Sequence, residues 1–209
     1  MASAIIHLAI AKEIRKKISV QNLNEKDYYL GAIAPDISKQ IGLSKEESHF
    51  LINTRENVPN IDIFTKRYPK FKYNSFDLGY FTHLYADKLW FEEFLPTISE
   101  NNSIKLLDGT IIQTTPEEVV NMIYSDYTNI NTEVIEKYDM DLSLFYEDFI
   151  MPKTEIKEIP IEQLDILINQ MGILIENSKS EKKYTFDIYI IDNFIQHATE
   201  EIIKELNKY

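Results

Sequence analysis

Residues 76–90 read Phe-Asp-Leu-Gly-Tyr-Phe-Thr-His-Leu-Tyr-Ala-Asp-Lys-Leu-Trp, and this stretch decides the fold. It contains no proline and is dense in large apolar side chains, which predicts a helix. Positions three and four apart share one face of a helix. The face formed in this way is mostly apolar, so we expect it to pack against the core. Its members are Phe76, Tyr80, His83, Asp87, Trp90 and Phe94.

Two polar side chains, His83 and Asp87, lie one turn apart on that apolar face. A buried carboxylate is costly unless it is paired or bound to a metal. The spacing His-x-x-x-Asp on a helix presents two ligands to a single ion. It fits equally well a buried His–Asp hydrogen bond that serves only the structure. This stretch by itself does not separate the two interpretations.

Composition limits the class of protein. The 209 residues, 44% of them hydrophobic, predict a single domain over residues 1–209 with a substantial core. No apolar run approaches the ~20 residues of a membrane span, and no signal peptide is visible, so a cytoplasmic location is expected. The net charge of −12 disfavours nucleic acid as a partner. Without cysteine, a zinc site must use His, Asp, Glu and water, which favours an open hydrolytic site.

The N-terminal third contains three further candidate ligands. His7 lies on the apolar face of a helix predicted over residues 4–18, although a lone inward histidine is more often structural. Asp36 follows Pro35, which places it at a helix end or sharp turn, with helix N-cap as the alternative role. Ser44 opens a capping box, and His49 falls in the second turn of the short helix that follows.

The rest of the chain predicts further helices and one hairpin. Asp-Gly between two β-like runs indicates a small β-hairpin around residues 103–113. Thr115 and Pro116 start a helix, and the polar residues of 124–131, including Asp126, favour a turn, with a cap or polar site as alternatives. Further helices are predicted over 142–151 and 161–177, followed by a linker at 177–183. The fold class is therefore all-α, a multi-helix bundle with one hairpin.

The last predicted helix, residues 184–206, repeats the pattern of the central one. His197 and Glu201 are four residues apart on a stripe with Ile190 and Phe194, so we expect His197 to point inward. The alternative for Glu201 is a solvated acid at the charged end of the helix.

Residues 64–73 alternate four aromatic side chains with four basic ones in an otherwise acidic protein. The pattern favours an ordinary surface loop whose aromatics pack inward while its cations stay solvated. The alternative is a transient contact with a membrane surface or an anionic headgroup.

Four sequence elements, taken in order, resemble the bacterial zinc-dependent phospholipase C family. They are His7 in the first helix, Gly-x-x-x-Pro-Asp at Gly31 to Asp36, Ser48-His49-Phe50, and Gly-Tyr-x-x-His-x-x-x-Asp-x-x-Trp at Gly79 to Trp90. The pair His197 and Glu201 is similar to the family's C-terminal His-x-x-x-Glu.

The resemblance implies an all-α metallohydrolase that cleaves a small phosphodiester or a phospholipid headgroup, with metal-bound hydroxide attacking phosphorus. By position, one zinc would be held by Asp36, His49, His83 and Asp87. Asp87 would bridge to a second metal, His7 would serve the neighbouring metal, and His197 and Glu201 would match the C-terminal pair. Asp36 would also orient the attacking water.

Two departures from the family pattern affect the number of metals. Secreted members use an N-terminal tryptophan as a ligand where this chain has Met1-Ala2, and a family histidine after the central motif is replaced by Glu92 and Glu93. We therefore expect two zinc ions, within a range of one to three, and leave open whether Glu92, Glu93 or Asp126 are ligands. The alternatives are a nuclease or nucleotidase on the same fold, and a degenerate metal-binding helical protein without catalysis.

Overall fold

The computed structural model describes residues 2–20, 22–100, 102–146, 150–178 and 183–209, and over these residues the fold is all-α, as predicted. The helices are α1 (Ala4–Lys17), α2 (Glu25–Gly31), α3 (Ile37–Gln40), α4 (Lys45–Ser48), α5 (Ile61–Arg67), α6 (Ser75–Leu89), α7 (Leu95–Ile98), α8 (Pro116–Lys137), α9 (Leu164–Glu176) and α10 (Ile188–Leu206). The shorter 3-10 turns are Ala34–Asp36, Phe71–Tyr73, Ser143–Phe145 and Ile161–Gln163. None of the helices within the described ranges is both long and apolar enough to cross a membrane.

The central helix α6 is buried along nearly its whole length, on every side rather than along one stripe. It packs against α2 most extensively and also contacts α1, α5 and α10. The contact with α2 depends on two glycines. A Cβ on Gly79 would lie 2.0 Å from the carbonyl oxygen of Tyr28, and one on Gly31 would lie 2.0 Å from that of Phe76. Only glycine lets the two backbones approach this closely.

The helical path does not stop at Leu89, the last residue of α6. It continues as a π turn over Trp90–Phe94 and then as α7. In the π turn the N–H of Leu95 donates to the carbonyl of Trp90, five residues back. The wider turn precedes Pro96, which has no N–H to donate and fits the start of α7.

The hairpin around residues 103–113 is confirmed. Strands β2 (Ser103–Lys105) and β3 (Ile111–Gln113) pair antiparallel with Ile104 opposite Ile112, and β1 (Ser99–Glu100) pairs with β2 on its other side. Ile104 is fully buried, so the sheet is anchored to the helical body through this side chain.

In the basic and aromatic segment 64–73 most of the aromatic side chains pack inward, as the surface-loop interpretation predicts. Phe64, Tyr68 and Phe71 are buried, whereas Tyr73 is 89% exposed. Arg67 pairs with Glu158 at 2.5 Å. Membrane contact through this segment is therefore a prediction that concerns Tyr73 and the cations, since the other aromatics are in the core.

The prediction of a helix over residues 142–151 is wrong for those residues that the structure describes. Only the turn Ser143–Phe145 forms, residues 147–149 lie outside the described ranges, and residues 150–158 are not helical. Tertiary contacts hold this segment: Tyr68 donates to Glu158 at 2.6 Å, Asn74 donates to the Lys153 carbonyl at 2.7 Å, and Thr154 donates to Asp77. These partners are distant in sequence, so local propensity does not reveal them.

The turn predicted at residues 124–131 is also wrong, because α8 runs through it to Lys137. Asp126 is buried within α8, where its carboxylate accepts hydrogen bonds from the backbone N–H groups of Tyr184, Thr185 and Phe186 and from the Thr185 hydroxyl. These bonds hold residues 184–186 outside a helix. The last helix therefore starts at Ile188, capped by Asp187, rather than at residue 184. Most of the predicted linker, residues 179–182, lies outside the described ranges.

Candidate metal centre

His83 is oriented by the close crossing of α2 and α6. Because Gly31 and Gly79 bring the two helices together, the Nδ1 atom of His83 lies 2.9 Å from the carbonyl oxygen of Ala32, just after α2. A carbonyl only accepts, so Nδ1 carries the proton and Nε2 presents a lone pair to the interior. This is how proteins orient a metal-binding imidazole.

His49 is oriented by the end of α4, which is shorter than predicted and leaves His49 as its C-cap rather than in a second turn. The next residue, Phe50, has φ +54°, a left-handed conformation that ends the helix. The Ser48 hydroxyl lies 2.9 Å from His49 Nδ1 and 3.4 Å from the Lys45 carbonyl, to which it donates. It can therefore accept from Nδ1–H, which leaves the Nε2 lone pair of His49 directed at His83.

Asp36 is turned into the same interior. It is the N-cap residue of α3, but its side chain makes no capping hydrogen bond. Its Oδ1 atom lies 3.5 Å from His49 Nε2, 3.9 Å from His83 Nε2 and 3.7 Å from Lys45 Nζ. The capping role that competed with the ligand role is thus not the one that the side chain performs.

Asp87 lies between His7 on one side and the pair His49 and His83 on the other. Its Oδ2 atom is 3.6 Å from His49 Nε2 and 3.8 Å from His83 Nε2. Its Oδ1 atom is 3.3 Å from His7 Nε2 and accepts the backbone N–H of Ala2 at 3.1 Å. The His7 ring stacks on that of His83 with centroids 3.8 Å apart. The two carboxylate oxygens of Asp87 therefore face two different sites.

The spacing of the inner atoms fits a tetrahedral ion. His49 Nε2 and His83 Nε2 are 3.3 Å apart, and their separations from Asp36 Oδ1 and Asp87 Oδ2 are 3.5 to 3.9 Å. Zinc bonds of about 2.0–2.2 Å to nitrogen and oxygen place tetrahedral ligands roughly 3.3–3.6 Å apart. Five of the six separations among these four atoms therefore lie in or near the range of tetrahedral zinc ligands.

Several of these buried atoms have no hydrogen-bond partner among the described residues, namely both ring nitrogens of His7, Asp36 Oδ1 and Asp87 Oδ2. Orphaned buried polar atoms are costly, and two imidazole lone pairs facing each other repel. A cation between them would remove both penalties. Within the described ranges, two groups of three residues could hold an ion: Asp36, His49 and His83, and His7, His83 and Asp87.

The protonation states of His83, Asp36 and Asp87 are those that metal ligands need. Burial lowers the pKa of His83 to about 3, and the neighbouring His7 adds to the shift, so its imidazole is neutral. Burial alone would raise the pKa of Asp36, but attraction to His83, Lys45 and His49 outweighs it and holds the pKa well below its ordinary value. Burial would likewise raise the pKa of Asp87, but the charge of the N-terminal amino group, followed by His7 and His83, holds that pKa well below its ordinary value. Ionised carboxylates and neutral imidazoles bind divalent cations.

His197 and Glu201 do not join this cluster, and the prediction that His197 points inward is wrong. The His197 side chain is 47% exposed and lies 2.7 Å from Glu93, and Glu201 contacts Lys204 at 2.6 Å. The buried face of α10 is offset from the predicted stripe by one position, and it consists of Ile191, Phe194, Ile195, Ala198, Thr199, Ile202 and Leu206.

The three acids that were left open as ligands lie elsewhere. Glu92 is exposed and pairs with Lys88 at 3.7 Å, Glu93 pairs with His197, and Asp126 accepts hydrogen bonds from residues 184–186.

Sequence reasoning missed the groups that orient the imidazoles. Ser48 could have been found from the sequence, because it directly precedes His49 and carries a hydroxyl. The Ala32 carbonyl could not, because it is a backbone group and no side-chain pattern indicates it.

The cluster opens to the surface beside Asp36. A cleft of about 290 Å³ begins there, and α3, α8 and α9 contribute to its walls. The cluster consists of five residues, namely His7, Asp36, His49, His83 and Asp87. Of these, Asp36 is the one that lines the cleft. The residues around the cleft are Ala2, Ser3, Ala4, Asp36, Lys39, Gln40, Tyr124, Tyr127, Thr128, Asn131, Leu167, Gln170, Met171 and Leu174.

An all-α fold with a buried His/Asp cluster at the base of a cleft defines a class of helical proteins suited to binding metal. Comparison with known families narrows this class. The family model described as zinc dependent phospholipase C matches residues 6–90, so this stretch is similar to that family and the resemblance is confirmed over it. All five clustered residues lie within the match, and His197 and Glu201 lie beyond it. No curated protein and no solved structure gives a significant match to the chain.

Proposed function

We propose that the chain is a zinc-dependent phosphodiester hydrolase of the phospholipase C type. The observation that carries the proposal is the convergence of His7, Asp36, His49, His83 and Asp87 at spacings that fit zinc, beside an open cleft. The match of residues 6–90 to the zinc dependent phospholipase C family model supports it. The substrate would be a small phosphodiester or a phospholipid headgroup.

The two sites differ in the ligands that they offer. Asp36, His49, His83 and one oxygen of Asp87 would hold the first ion with four protein ligands. The second site has His7 and the other oxygen of Asp87, because the single free nitrogen of His83 can ligate only one ion. Two ions are therefore proposed, the second bound more weakly and completed by water.

Zinc held here would supply charge to stabilise a phosphoryl group and would make a bound water acidic enough to act near neutral pH. Asp36 faces both the ligand atoms and the cleft, so its carboxylate would orient that water. His83 and His49 would stay fixed by their Nδ1 hydrogen bonds while a substrate binds.

Zinc titration of the purified metal-free protein tests the proposal directly. Calorimetry should show two unequal binding steps, and elemental analysis should find zinc after gel filtration. Hydrolysis of bis(p-nitrophenyl) phosphate should disappear on chelation and return with zinc. A fully helical protein that binds no zinc would overturn the proposal, and so would a zinc-loaded protein that hydrolyses no phosphodiester.

A further inference from the structure

The cleft beside the metal centre has an uneven charge pattern. Among the described residues that line it, Lys39 is the one cation and Asp36 the one anion. Asp36 belongs to the proposed metal site, so Lys39 is the charge left to meet a substrate. Lys39 follows Asp36 by one helical turn on α3, which places both on the same wall.

Lys39 contacts an aromatic side chain across the cleft, that of Tyr124. Its Nζ atom donates to the Tyr124 hydroxyl at 2.7 Å and lies 4.4 Å from the centroid of the Tyr124 ring. Tyr124 belongs to α8 and is 43% exposed. An exposed aromatic ring beside a phosphate site is the kind of group that binds a quaternary ammonium by cation–π attraction. Here the protein's own ammonium already holds that position.

Other lining groups carry no charge. The α9 wall presents Leu167, Met171 and Leu174, and side-chain amides come from Gln40 and Gln170. The apolar groups suit the carbon skeleton of an ester group, and the amides suit its hydroxyls or carbonyls. In a chain of net charge −12, a cation at this point is the local feature that would attract an anion.

Resting on the proposed function, we propose that Lys39 is a specificity-determining residue of this cleft. The cleft takes phosphodiesters whose second ester group bears a negative charge, and it disfavours those that carry a quaternary ammonium. Lys39 acts in two ways: it attracts the anionic group, and it blocks the Tyr124 ring against a substrate cation.

Three p-nitrophenyl phosphodiesters with the same leaving group test this proposal. Their second ester groups are 2-carboxyethyl, 3,3-dimethylbutyl and choline, the last two being neutral and cationic isosteres. With the zinc-loaded wild type, kcat/KM should fall in that order, by about fivefold from the first to the last, which is the effect of one partly exposed ion pair. Calorimetric binding of the matching phosphomonoesters should follow the same order without any turnover.

Two substitutions separate the two effects of Lys39. Lys39→Glu should reverse the order in both measurements. Lys39→Met, which removes the charge and frees Tyr124, should strengthen binding of the choline monoester about threefold and weaken the carboxyethyl one. The matched control is Lys105→Glu on β2, which makes the same charge change at an exposed position that does not line the cleft, and it should keep the wild-type order.

The outcomes distinguish this inference from the proposed function. An order of binding and turnover that is identical in the wild type and Lys39→Glu overturns the role of Lys39, even if the protein is an active phosphodiesterase. If no diester is hydrolysed but the monoester affinities reverse with Lys39→Glu, the proposed catalysis is wrong. The role of Lys39 in selecting the charge of the ester group then still holds. Lys39 is exposed, so circular dichroism should show unchanged helicity in both variants.

Discussion

Helices α6 and α10 each carry a histidine followed four residues later by an acid, and the structure treats the two pairs in opposite ways. On α6, His83 and Asp87 have no solvent exposure and face His7 and Asp36, whose ring nitrogens and Oδ1 atom lack hydrogen-bond partners among the described residues. On α10, the His197 side chain is half exposed, and Glu201 contacts a lysine on the same helix. Identical spacing therefore led to a cluster in one helix and to a solvated surface in the other.

The residues around each pair explain the difference. Around His83 the neighbouring positions hold Thr82 and Leu84, which are also buried, so α6 has no solvent-facing side at that level. Around Glu201 lie exposed charges such as Glu200 and Lys204, and the apolar face of α10 points elsewhere. Spacing shows that two side chains share a face. Whether that face is buried depends on what surrounds it.

The sharpest way to break this comparison is to remove each histidine in turn. His83→Ala should lose tightly bound zinc and lower kcat/KM for bis(p-nitrophenyl) phosphate by about a thousandfold, since metal charge stabilisation is worth several kcal/mol. His197→Ala should keep its zinc and stay within about twofold of the wild type. Elemental analysis and steady-state kinetics measure both. Equal losses in the two variants would mean that the α10 pair takes part in the metal centre.

The close crossing of α6 with α2 predicts the next largest effect. Gly79→Ala places a methyl group 2.0 Å from a backbone carbonyl oxygen, which cannot move cheaply, and should lower the free energy of unfolding by about 3 kcal/mol or more. In Gly172→Ala on α9 the one contact of the added methyl with a described residue is the Tyr146 hydroxyl at 2.9 Å. That side chain can shift and alanine favours helix, so the change should stay within about 1 kcal/mol.

Urea unfolding followed by circular dichroism measures both glycine variants. A Gly79→Ala protein as stable as the wild type would show that α2 and α6 can separate without cost. The crossing would then not be what fixes the His83 ring against Ala32.

The smallest effect concerns the first turn of α6, where Asp77 is buried and accepts a hydrogen bond from Thr154. Burial raises the pKa of Asp77 from 3.8 to about 6. The folded protein therefore binds more protons than the unfolded chain between these values, and this carboxyl adds stability as pH falls. From pH 7.5 to pH 5 its contribution to the free energy of unfolding should grow by about 1 kcal/mol.

Urea titrations of the wild type and Asp77→Asn at the two pH values isolate this contribution. Because asparagine does not titrate, the variant should lack that part of the pH dependence. It should also be the more stable protein at pH 7.5, where the wild-type carboxylate is ionised in a buried position. A pH dependence that is the same in both proteins would contradict the assignment.

Much of the fold could be predicted from local signals. The capping box at Thr115 predicts the start of α8, and Asp108-Gly109 predicts the hairpin. Two errors in the helix bounds share one cause, which is a tertiary contact that overrides local preference. Asp126 holds residues 184–186 outside α10, and contacts with Asp77 and Glu158 keep residues 150–158 out of a helix.

By itself the sequence determined the helical fold class and brought forward the five residues that converge, because periodic spacing and motif order are properties of the chain. It also limited the side-chain ligands of a zinc ion to imidazole and carboxylate, since the chain has no cysteine. Only the tertiary structure decided which histidines face one another, through the glycine crossing, the Ala32 carbonyl and the burial of α6 on all sides. It likewise decided that His197 stays in solvent and that Lys39 covers Tyr124. Burial and the approach of distant groups are properties of packed helices, and no local pattern specifies them.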